Sequence, residues 1–238
     1  MIWIGTSGYM YEWWRGVFYP EDIPKSKWFD FYQEKFNTVE LNVTFYRLPQ
    51  KTAFENWKKK AKKGFVFSLK GSRFITHVKR IKDVEDSLKL FMDRAEILVE
   101  NLGPVLWQLP PQMKFDEERF ENFLNLLKKT HHKLHVIELR NKNWVRKEIF
   151  EEVARFGFTV CLSDHPECSV EEMPDMPFLY IRRHGKGALY GGSYTKEDLL
   201  RDAELIRSYK GREAYVYFNN DQNGYAVFNA IELMKLLS

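Results

Sequence analysis

Residues 83–109 read DVEDSLKLFMDRAEILVENLGPVLWQL, and this stretch contains one unit of the pattern that decides the fold. Apolar residues recur three and four positions apart, which predicts one buried stripe on a helix over residues 83–99: Val84, Leu88, Phe91, Ala95 and Leu98. Gly103 follows where such a helix is expected to end in a left-handed residue. Residues 105–109 then form a short β-rich run. The stretch therefore predicts a helix followed directly by a buried strand.

The same alternation of short β-rich runs and helical stretches repeats along the chain, and no linker rich in Pro, Gly or Ser interrupts it. The predicted strands are residues 2–5, 38–42, 65–70, 105–109, 134–139, 158–162, 178–182 and 214–218. The other predicted helices are residues 25–36, 52–62, 116–129, 147–156, 196–209 and 225–237. Thr195 and Asp116 suit N-caps, and further glycines follow helices where a left-handed residue is needed: Gly64, Gly157 and Gly211. Prolines and acids leave room for only a degenerate helix over residues 165–176, after strand six.

Eight strands alternating with helices are the count expected of a single α/β domain over residues 1–238, folded as a parallel (β/α)8 TIM-like barrel. A doubly wound sheet would show the same alternation. However, the first strand is followed by Gly5-Thr6-Ser7-Gly8, which lacks the spacing of either glycine-rich phosphate-binding fingerprint. We therefore expect the barrel.

Composition narrows the class of protein further. The chain has 238 residues, of which 44% are hydrophobic and 29% charged, as in ordinary folded proteins. The net charge of +4 is a small difference between 37 basic and 33 acidic side chains, so it does not by itself indicate nucleic-acid binding. No uncharged apolar run approaches the roughly 18 residues of a membrane span, and the first residues do not resemble a signal peptide. We expect a cytoplasmic protein without a membrane partner, whose two cysteines are reduced thiols.

A bias toward lysine over glutamine is in the direction seen in proteins from hot environments. Thermophily is thus a hypothesis, and a melting midpoint in the ordinary mesophile range would contradict it.

Polar residues gather where the predicted strands end, and barrel enzymes carry their chemistry on the loops that follow those ends. Thr6, Ser7 and Tyr9 follow strand one, and along and after strand two stand Glu40, Asn42, Thr44 and Tyr46 at a spacing of two. The later strands end in or lead to Lys70, Gln108, Glu138, Arg140, Asp164, His165, Arg182, His184, Asn219, Asn220 and Asp221. Every predicted strand contributes to the set.

Residues two apart on a strand point the same way, so three pairs should each share a face: Glu40 with Asn42, Glu138 with Arg140, and Arg182 with His184. If these faces point inward, they converge on the barrel axis and must form a hydrogen-bonded network, because unpaired buried charges are costly. Such a network either binds a ligand or only fills the barrel. We favour a ligand site, because apolar layers would fill a barrel more simply.

The same residues carry a resemblance to a known family. The chain resembles domain-of-unknown-function family 72, the YecE-like proteins, through motifs dispersed over nearly its whole length. These are Gly5-Thr6-Ser7-Gly8, Trp13, Gly16, Phe18-Tyr19-Pro20, Val39-Glu40, Asn42, Thr44-Phe45-Tyr46, Pro49, Phe67, Lys70, Gln108-Leu109-Pro110-Pro111, Glu138, Arg140, Trp144, Tyr180, Arg182, His184-Gly185, Phe218-Asn219-Asn220, Ala226, Asn229 and Ala230. Tyr9 departs from the family, which usually has Trp there. The resemblance implies a TIM barrel similar to those of sugar isomerases and of the endonuclease IV group, but it does not imply one reaction.

The residue types favour an enzyme that acts on a small phosphorylated or carboxylated, sugar-like substrate. Arg140, Arg182 and Lys70 offer charge-assisted donors to an anion. Glu40 or Glu138 are the candidate general bases, and His184 is the candidate proton carrier. The remaining predicted ligand-binding residues would hydrogen-bond to hydroxyl or amide groups of the ligand or pack on its apolar face. They are Thr6, Ser7, Tyr9, Asn42, Tyr46, Gln108, Trp144, Asn219 and Asn220.

Two alternatives stay open at this point. A divalent metal has potential ligands in the carboxylates and histidines, but no compact spacing selects one, and Arg140 and Arg182 would compete with a cation for the glutamates, so a metal is not favoured. The cofactor is otherwise unknown. A nucleic-acid-binding barrel, such as a metal-dependent phosphodiesterase, is the other alternative, suggested by the aromatic loop over residues 9–19 and the basic balance. The sequence leaves the oligomeric state open.

Overall fold

A computed structural model describes residues 1–172, 175–187, 189–209 and 211–238 of the chain. Its parallel strands are β1 (Ile2–Thr6), β2 (Thr38–Leu41), β3 (Val66–Lys70), β4 (Leu102–Gln108), β5 (His135–Glu138), β6 (Thr159–Val160), β7 (Leu162–Ser163), β8 (Leu179–Arg183) and β9 (Ala214–Phe218). Its α-helices are α1 (Trp28–Lys35), α2 (Val43–Tyr46), α3 (Lys51–Lys60), α4 (Glu85–Ala95), α5 (Glu117–Lys128), α6 (Lys147–Arg155), α7 (Lys196–Ser208) and α8 (Tyr225–Leu237). The predicted alternation is confirmed.

The strands form a ring. One run of hydrogen-bonded neighbours is β2-β3-β4-β5-β6, and the other is β1-β9-β8-β7. The two runs meet where Ser7 pairs with Glu40, and where β6 and β7 continue one another across Cys161. Every pairing between the strands is parallel. Counting β6 and β7 as one interrupted strand, the ring has the eight strands that the sequence predicts for a TIM-like barrel.

The barrel interior is layered. An apolar cluster fills its amino-terminal half and consists of Trp3, Val66, Leu106, Val136, Cys161, Phe178, Tyr180, Tyr215 and Tyr217. Within it, the rings of Trp3 and Tyr215 stack with centroids 4.6 Å apart. Above this cluster the buried residues are charged, namely Glu40, Glu138 and Arg182. The helices cover the outside of the ring through a separate large apolar core.

Predicted helix starts are confirmed at two positions. Asp116 accepts a hydrogen bond from the Arg119 backbone and begins α5. Thr195 forms a reciprocal capping box with Asp198 at the start of α7. Such pairings satisfy backbone N–H groups that a helix leaves without partners.

Two local expectations differ from the structure. Gly64, Gly157 and Gly211 have positive φ angles as predicted, whereas Gly103 lies inside β4, where any side chain would clash with Val66. Glu96–Asn101 is a tighter helical segment kinked at Val99, so the predicted helix over residues 83–99 ends earlier as α4. Close packing of β4 against β3 thus explains Gly103.

The loop after β2 is helical rather than extended. Thr44 and Tyr46 lie on the single-turn helix α2, so their spacing of two does not continue the alternation of strand β2. Thr44 is buried and donates to the Leu41 and Lys70 carbonyls, while Tyr46 is 77% exposed. In the segment over residues 165–176, the described residues contain no helix, and Met173 and Pro174 lie outside the described residues.

Candidate functional site

Arg182 lies at the centre of the polar layer. Its Nε and Nη2 donate to the two oxygens of Glu40 at 3.0 and 2.9 Å, and its Nη1 donates to the two oxygens of Glu138 at 2.9 and 3.0 Å. β2, β5 and β8 supply these three residues, whose side chains are at most 1% exposed. The inward convergence predicted for these faces is therefore present in the structure.

Both glutamates have all their oxygen lone pairs occupied. Besides Arg182, the carboxylate of Glu40 accepts hydrogen bonds from Ser7 Oγ and from Tyr180 Oη, the latter at 2.7 Å. The carboxylate of Glu138 accepts from Arg140 Nη2 and Gln108 Nε2, both at 2.9 Å. An ionised carboxylate has about four acceptor sites, so each of these is saturated. Neither has a free lone pair with which to take a proton from a substrate.

The pKa values of the two glutamates agree with this bonding. Burial acts to raise the pKa of Glu40, but the Arg182 charge and the hydrogen bonds from Ser7 and Tyr180 outweigh it and hold the pKa below its usual range. Burial likewise acts to raise the pKa of Glu138, and Arg140 and Arg182 outweigh it, so this pKa is also lowered. Both carboxylates are thus fixed in the ionised form.

His184 is held in one tautomer by its neighbours. Arg140 Nη2 and Arg182 Nη1 lie 2.9 and 3.0 Å from its Nε2. A guanidinium can only donate, so Nε2 must accept and the ring proton must lie on Nδ1, which is 3.3 Å from Ser163 Oγ and 3.5 Å from Asp164 Oδ1. Burial lowers the pKa of His184 to about 4, despite the hydrogen bond with Asp164. The imidazole is neutral near pH 7, and its basic nitrogen is occupied.

Two cations at the edge of this network have unused donors. The Arg140 side chain is 8% exposed, and its Nε is buried without a hydrogen-bond partner in the described chain. Lys70, the last residue of β3, is 9% exposed, and no carboxylate of the described residues lies within ion-pair distance of its amine. Since Arg182 and Arg140 balance the two glutamates, the charge of Lys70 is uncompensated. The carboxyl-terminal end of the strand ring, which we call the barrel mouth, therefore includes one cation, Lys70, that has no ion-pair partner in the described chain.

Two further titratable groups lie in loops at the barrel mouth, and sequence reasoning left both outside the predicted site. His77 lies on a turn of π-helix, Phe74–Val78, which begins shortly after β3. Burial, followed by the charges of Lys70 and Arg73, lowers the pKa of His77 to about 4. Burial raises the pKa of the half-buried Asp221, which follows β9, to about 6. Turns of π-helix occur often at functional sites, but no sequence pattern predicted this one.

Exposed aromatic rings surround the same end of the barrel. Trp13, Tyr46, Phe74 and Tyr190 lie in the loops after β1, β2, β3 and β8, and they are between 45% and 77% exposed. We call these four residues the aromatic rim. Flat apolar faces of this kind can stack on sugars or bases. The barrel mouth thus combines a cationic floor with an aromatic border.

Direct hydrogen bonds bring together eight of the residues that the sequence predicts for the site: Ser7, Glu40, Asn42, Gln108, Glu138, Arg140, Arg182 and His184. Asn42 joins through its amide, which donates to Ser7 Oγ at 2.9 Å, and its buried Oδ1 has no partner in the described chain. Tyr180 was missed, although it stands two residues before Arg182 and therefore shares its face. The period-two rule that paired Arg182 with His184 could have found it.

Other predicted site residues serve the packing around the network. Trp144 is buried edge-on against Phe115 and Phe120 and donates to the Met113 carbonyl, so its indole N–H is used outside the network. Asn220 donates to the Gly192 carbonyl and to Asn229, which ties together the loops around β9.

Three more of the predicted residues lie beside the network. The ring of Tyr9 packs against Phe29 and Tyr32. Thr6 is buried, with its hydroxyl 2.9 Å from that of Tyr32. The half-buried Asn219 donates its backbone N–H to the Arg183 carbonyl, which ties it to the end of β8.

In the described part of the chain, no three His, Cys, Asp or Glu side chains gather in an arrangement that could hold a metal ion. The same residues include no helix that is long and apolar enough to span a membrane. Cys161 and Cys168 are both free thiols and both buried. Burial raises the pKa of the Cys161 thiol, which belongs to the apolar cluster inside the barrel.

Comparison with known proteins finds related sequences and solved structures with the same fold. A DUF72 protein of Thermotoga maritima has a similar solved structure, with a TM-score of 0.86 and 31% identity over 100% of this chain and 99% of that one. The UPF0759 protein YunF of Bacillus subtilis is 22% identical over 100% of this chain and 95% of its own length. The structure of D-psicose 3-epimerase of Clostridium cellulolyticum, solved with D-tagatose, shares the fold at 11% identity and a TM-score of 0.56, over 98% of this chain and 97% of that one.

The family model described as "Protein of unknown function DUF72" matches residues 3–238, which include the saturated glutamates, Arg182 and the cations at the barrel mouth. The resemblance carried by the dispersed motifs is therefore confirmed, and the chain belongs to the DUF72 family.

Proposed function

We propose that the barrel mouth is the active site of an enzyme that binds a small phosphorylated or carboxylated, sugar-like substrate and transfers protons on it. The observation that carries the proposal is the unpartnered Nε of Arg140, buried beside a network that fixes the rest of the same guanidinium. A buried donor without a partner is costly and rare in folded proteins. An anionic group bound at Arg140 would satisfy it with a charge-assisted hydrogen bond.

The saturated network acts in this proposal as a rigid support. Glu138 and His184 both bond to Arg140 Nη2 and so orient the guanidinium toward an anion. Glu40 and Arg182 in turn hold Glu138 in place. Preorganised donors bind charge more strongly because they need no rearrangement when the ligand arrives. The predicted catalytic residues Glu40, Glu138 and His184 would therefore position the group that binds the anion.

Proton transfer then falls to the groups whose basic atoms are not saturated. His77 is neutral near pH 7, and the raised pKa of Asp221, about 6, suits a carboxyl group that exchanges protons near neutrality. Asn42 Oδ1, which lacks a partner, would accept a hydrogen bond from a substrate hydroxyl. The aromatic rim would cover the apolar face of a sugar. The lysine amine of Lys70 would face the polar edge of the same ligand.

A melting assay tests the anion site. Inorganic phosphate and 3-phosphoglycerate should raise the melting temperature of the protein, while uncharged glycerol should not. Arg140→Lys keeps the charge but loses Nε, so the affinity for phosphate should fall by about 1 to 3 kcal/mol. Arg155→Lys, at an arginine whose side chain is 71% exposed, is the matched control and should leave the affinity unchanged. Equal phosphate binding by the Arg140→Lys and parent proteins would contradict the assignment.

Solvent deuterium exchange tests the chemistry. The parent protein is incubated in D2O with a panel of phosphorylated aldoses, ketoses and hydroxy acids, and incorporation of deuterium at carbon is followed by NMR. Acid–base chemistry predicts incorporation into at least one substrate, and Asp221→Asn should slow it by about 10²- to 10⁴-fold. If no member of the panel exchanges and no anion binds, the proposal is wrong.

Nucleic-acid binding is the second candidate, and the aromatic rim is the observation that favours it, because exposed rings stack on bases. A mobility assay with single- and double-stranded DNA and RNA separates the two candidates. Binding through phosphates should weaken steeply as salt rises, because counterions are released. A lack of retention at low salt, together with binding of small phosphates, would leave the small-molecule enzyme alone. Loss of DNA or RNA cleavage on chelation would identify a metal-dependent phosphodiesterase.

A further inference from the structure

Lys70 has surroundings that are unusual for a lysine. Its amine lies 4.3 Å from the centroid of the Phe45 ring, at the carboxyl end of β3 and at the edge of the ionic network. The residue is 9% exposed, and no carboxylate lies within ion-pair distance of its amine in the described chain. A buried ammonium is normally paired, because an uncompensated buried charge is costly. Loss of surrounding water thus disfavours the charged form of this amine, while the face of the Phe45 ring, which attracts a cation, partly opposes the effect.

The neighbouring cations act in the same direction. Burial, followed by the charge of Arg182, lowers the pKa of Lys70 to about 8, although Glu138 and Glu40 partly oppose the shift. With that pKa, about a tenth of the amine is neutral at pH 7, far more than for an ordinary lysine. A lysine that is desolvated and placed beside other cations is activated as a nucleophile.

A neutral base lies beside the same ring. The imidazole of His77 packs edge-on against Phe45, with ring centroids 5.0 Å apart, so His77 and Lys70 contact one aromatic side chain. His77 Nδ1 lies 2.8 Å from Thr76 Oγ1, which leaves Nε2 available for proton exchange. Near pH 7 this imidazole is neutral and able to accept a proton.

We propose that Lys70 is a nucleophile that forms an imine with the carbonyl group of a small anionic, sugar-like substrate. The proposal rests on the proposed function, in which Arg140 holds the anionic group of the same molecule. It narrows the substrate class to aldehydes and ketones, including the open-chain forms of sugar phosphates.

The step balances with no reactant other than a proton from solvent. The lone pair of Nζ attacks the carbonyl carbon and forms a C–N bond, while the π electrons move to oxygen, which takes up a proton. His77 accepts a proton from the nitrogen and returns it to the hydroxyl, which leaves as water when the C=N bond forms. One neutral amine, one carbonyl and one proton from solvent thus give one protonated imine and one water, with no change of oxidation state. The protonated imine then acidifies the neighbouring C–H bond, which suits a reaction based on proton transfer.

Reductive trapping tests the proposal on the full-length folded protein. The protein is incubated with glyceraldehyde 3-phosphate and sodium cyanoborohydride, which reduces an imine to a stable secondary amine, and modified lysines are located by mass spectrometry. Lys70 should be modified at least tenfold faster than Lys59, an exposed lysine of α3. Its labelling should rise with pH to half of its maximum near about 8. Unfolding in urea should abolish the preference.

Two lysine variants complete the test. Lys70→Arg keeps a charge but cannot form the imine, so selective labelling should disappear, whereas Lys59→Arg should retain it. The comparison of Lys70 with Lys59 within the parent protein decides the matter even if the Lys70 variant fails to fold. Modification of Lys70 no faster than Lys59 would overturn the proposal.

The same experiment separates this proposal from the proposed function. Faster labelling by glyceraldehyde 3-phosphate than by glyceraldehyde, with protection by inorganic phosphate, supports both. Phosphate binding without labelling of Lys70 overturns the imine and leaves the anion site. Selective labelling by both aldehydes at equal rates, with no protection by phosphate, supports the reactive lysine and contradicts the anion site.

Discussion

At the scale of single residues, Arg182 shows that a charged side chain inside a barrel can have all its donors taken up by buried partners. All three of its nitrogens donate to carboxylates. The side chain is only 1% exposed, so the guanidinium has little surface to offer a ligand. The sequence predicted its position on a shared inner face with His184. The sequence could not decide between ligand binding and charge balance, because that depends on how many donors the two glutamates already receive.

Removal of Arg182 should therefore destabilise the fold. Arg182→Met leaves two buried carboxylates without their shared partner, and the free energy of unfolding should fall by about 3 to 5 kcal/mol. Adding Glu40→Gln to this variant removes one stranded charge and should restore part of the loss. Urea denaturation measures both effects. A loss below about 1 kcal/mol for Arg182→Met would contradict the structural role.

At the scale of elements, the sequence predicted the strands and main helices well because their signals are local and periodic. The stripe over α4 and the caps at Asp116 and Thr195 depend on residues a few positions apart. The helical turn α2 and the turn of π-helix were not predicted, because each has fewer than six residues and is set by tertiary contacts. Thr44, for example, is held by the carbonyl of Lys70, 26 residues away in the chain.

The cap of α7 gives a prediction at this scale. Thr195 Oγ1 accepts a hydrogen bond from the Asp198 backbone at 3.2 Å. Thr195→Ala should lower the free energy of unfolding by about 1 kcal/mol, and Thr195→Ser, which keeps the hydroxyl, should restore most of it. Thermal and urea unfolding of the two variants provide the measurement. If the Ala and Ser variants lose the same stability, the hydroxyl does not stabilise the helix. As a control, phosphate binding should be unchanged in both variants.

At the scale of the whole molecule, several buried groups keep one protonation state and thereby make stability depend on pH. Burial lowers the pKa of both His132 and His184 to about 4 from an ordinary value of 6.5. Unfolding would expose these histidines, so the unfolded chain binds more protons between those two pH values. Stability should therefore fall as the pH drops from 6.5 to about 4. The lowered pKa values of Glu40 and Glu138 extend the loss to lower pH.

Neighbouring histidines provide the control for this prediction. His132→Asn removes a half-buried titrating group and should flatten part of the decline in the free energy of unfolding between pH 6.5 and about 4. His131→Asn, at the exposed neighbouring position, should keep the slope of the parent protein. Urea unfolding at a series of pH values measures the slopes. A parent protein whose stability is flat over this window would contradict the neutral state of the buried histidines.

The apolar cluster in the amino-terminal half of the barrel has a kinetic consequence. Trp3, Tyr215 and their neighbours close the interior from below, so the barrel is not a passage with two openings. A molecule bound at Arg140 and Lys70 must leave by the route through which it entered. Product would then have to leave through the barrel mouth before the next substrate could enter through the same opening. Under the proposed function, product should accordingly inhibit turnover in competition with substrate, and initial rates measured with added product check this.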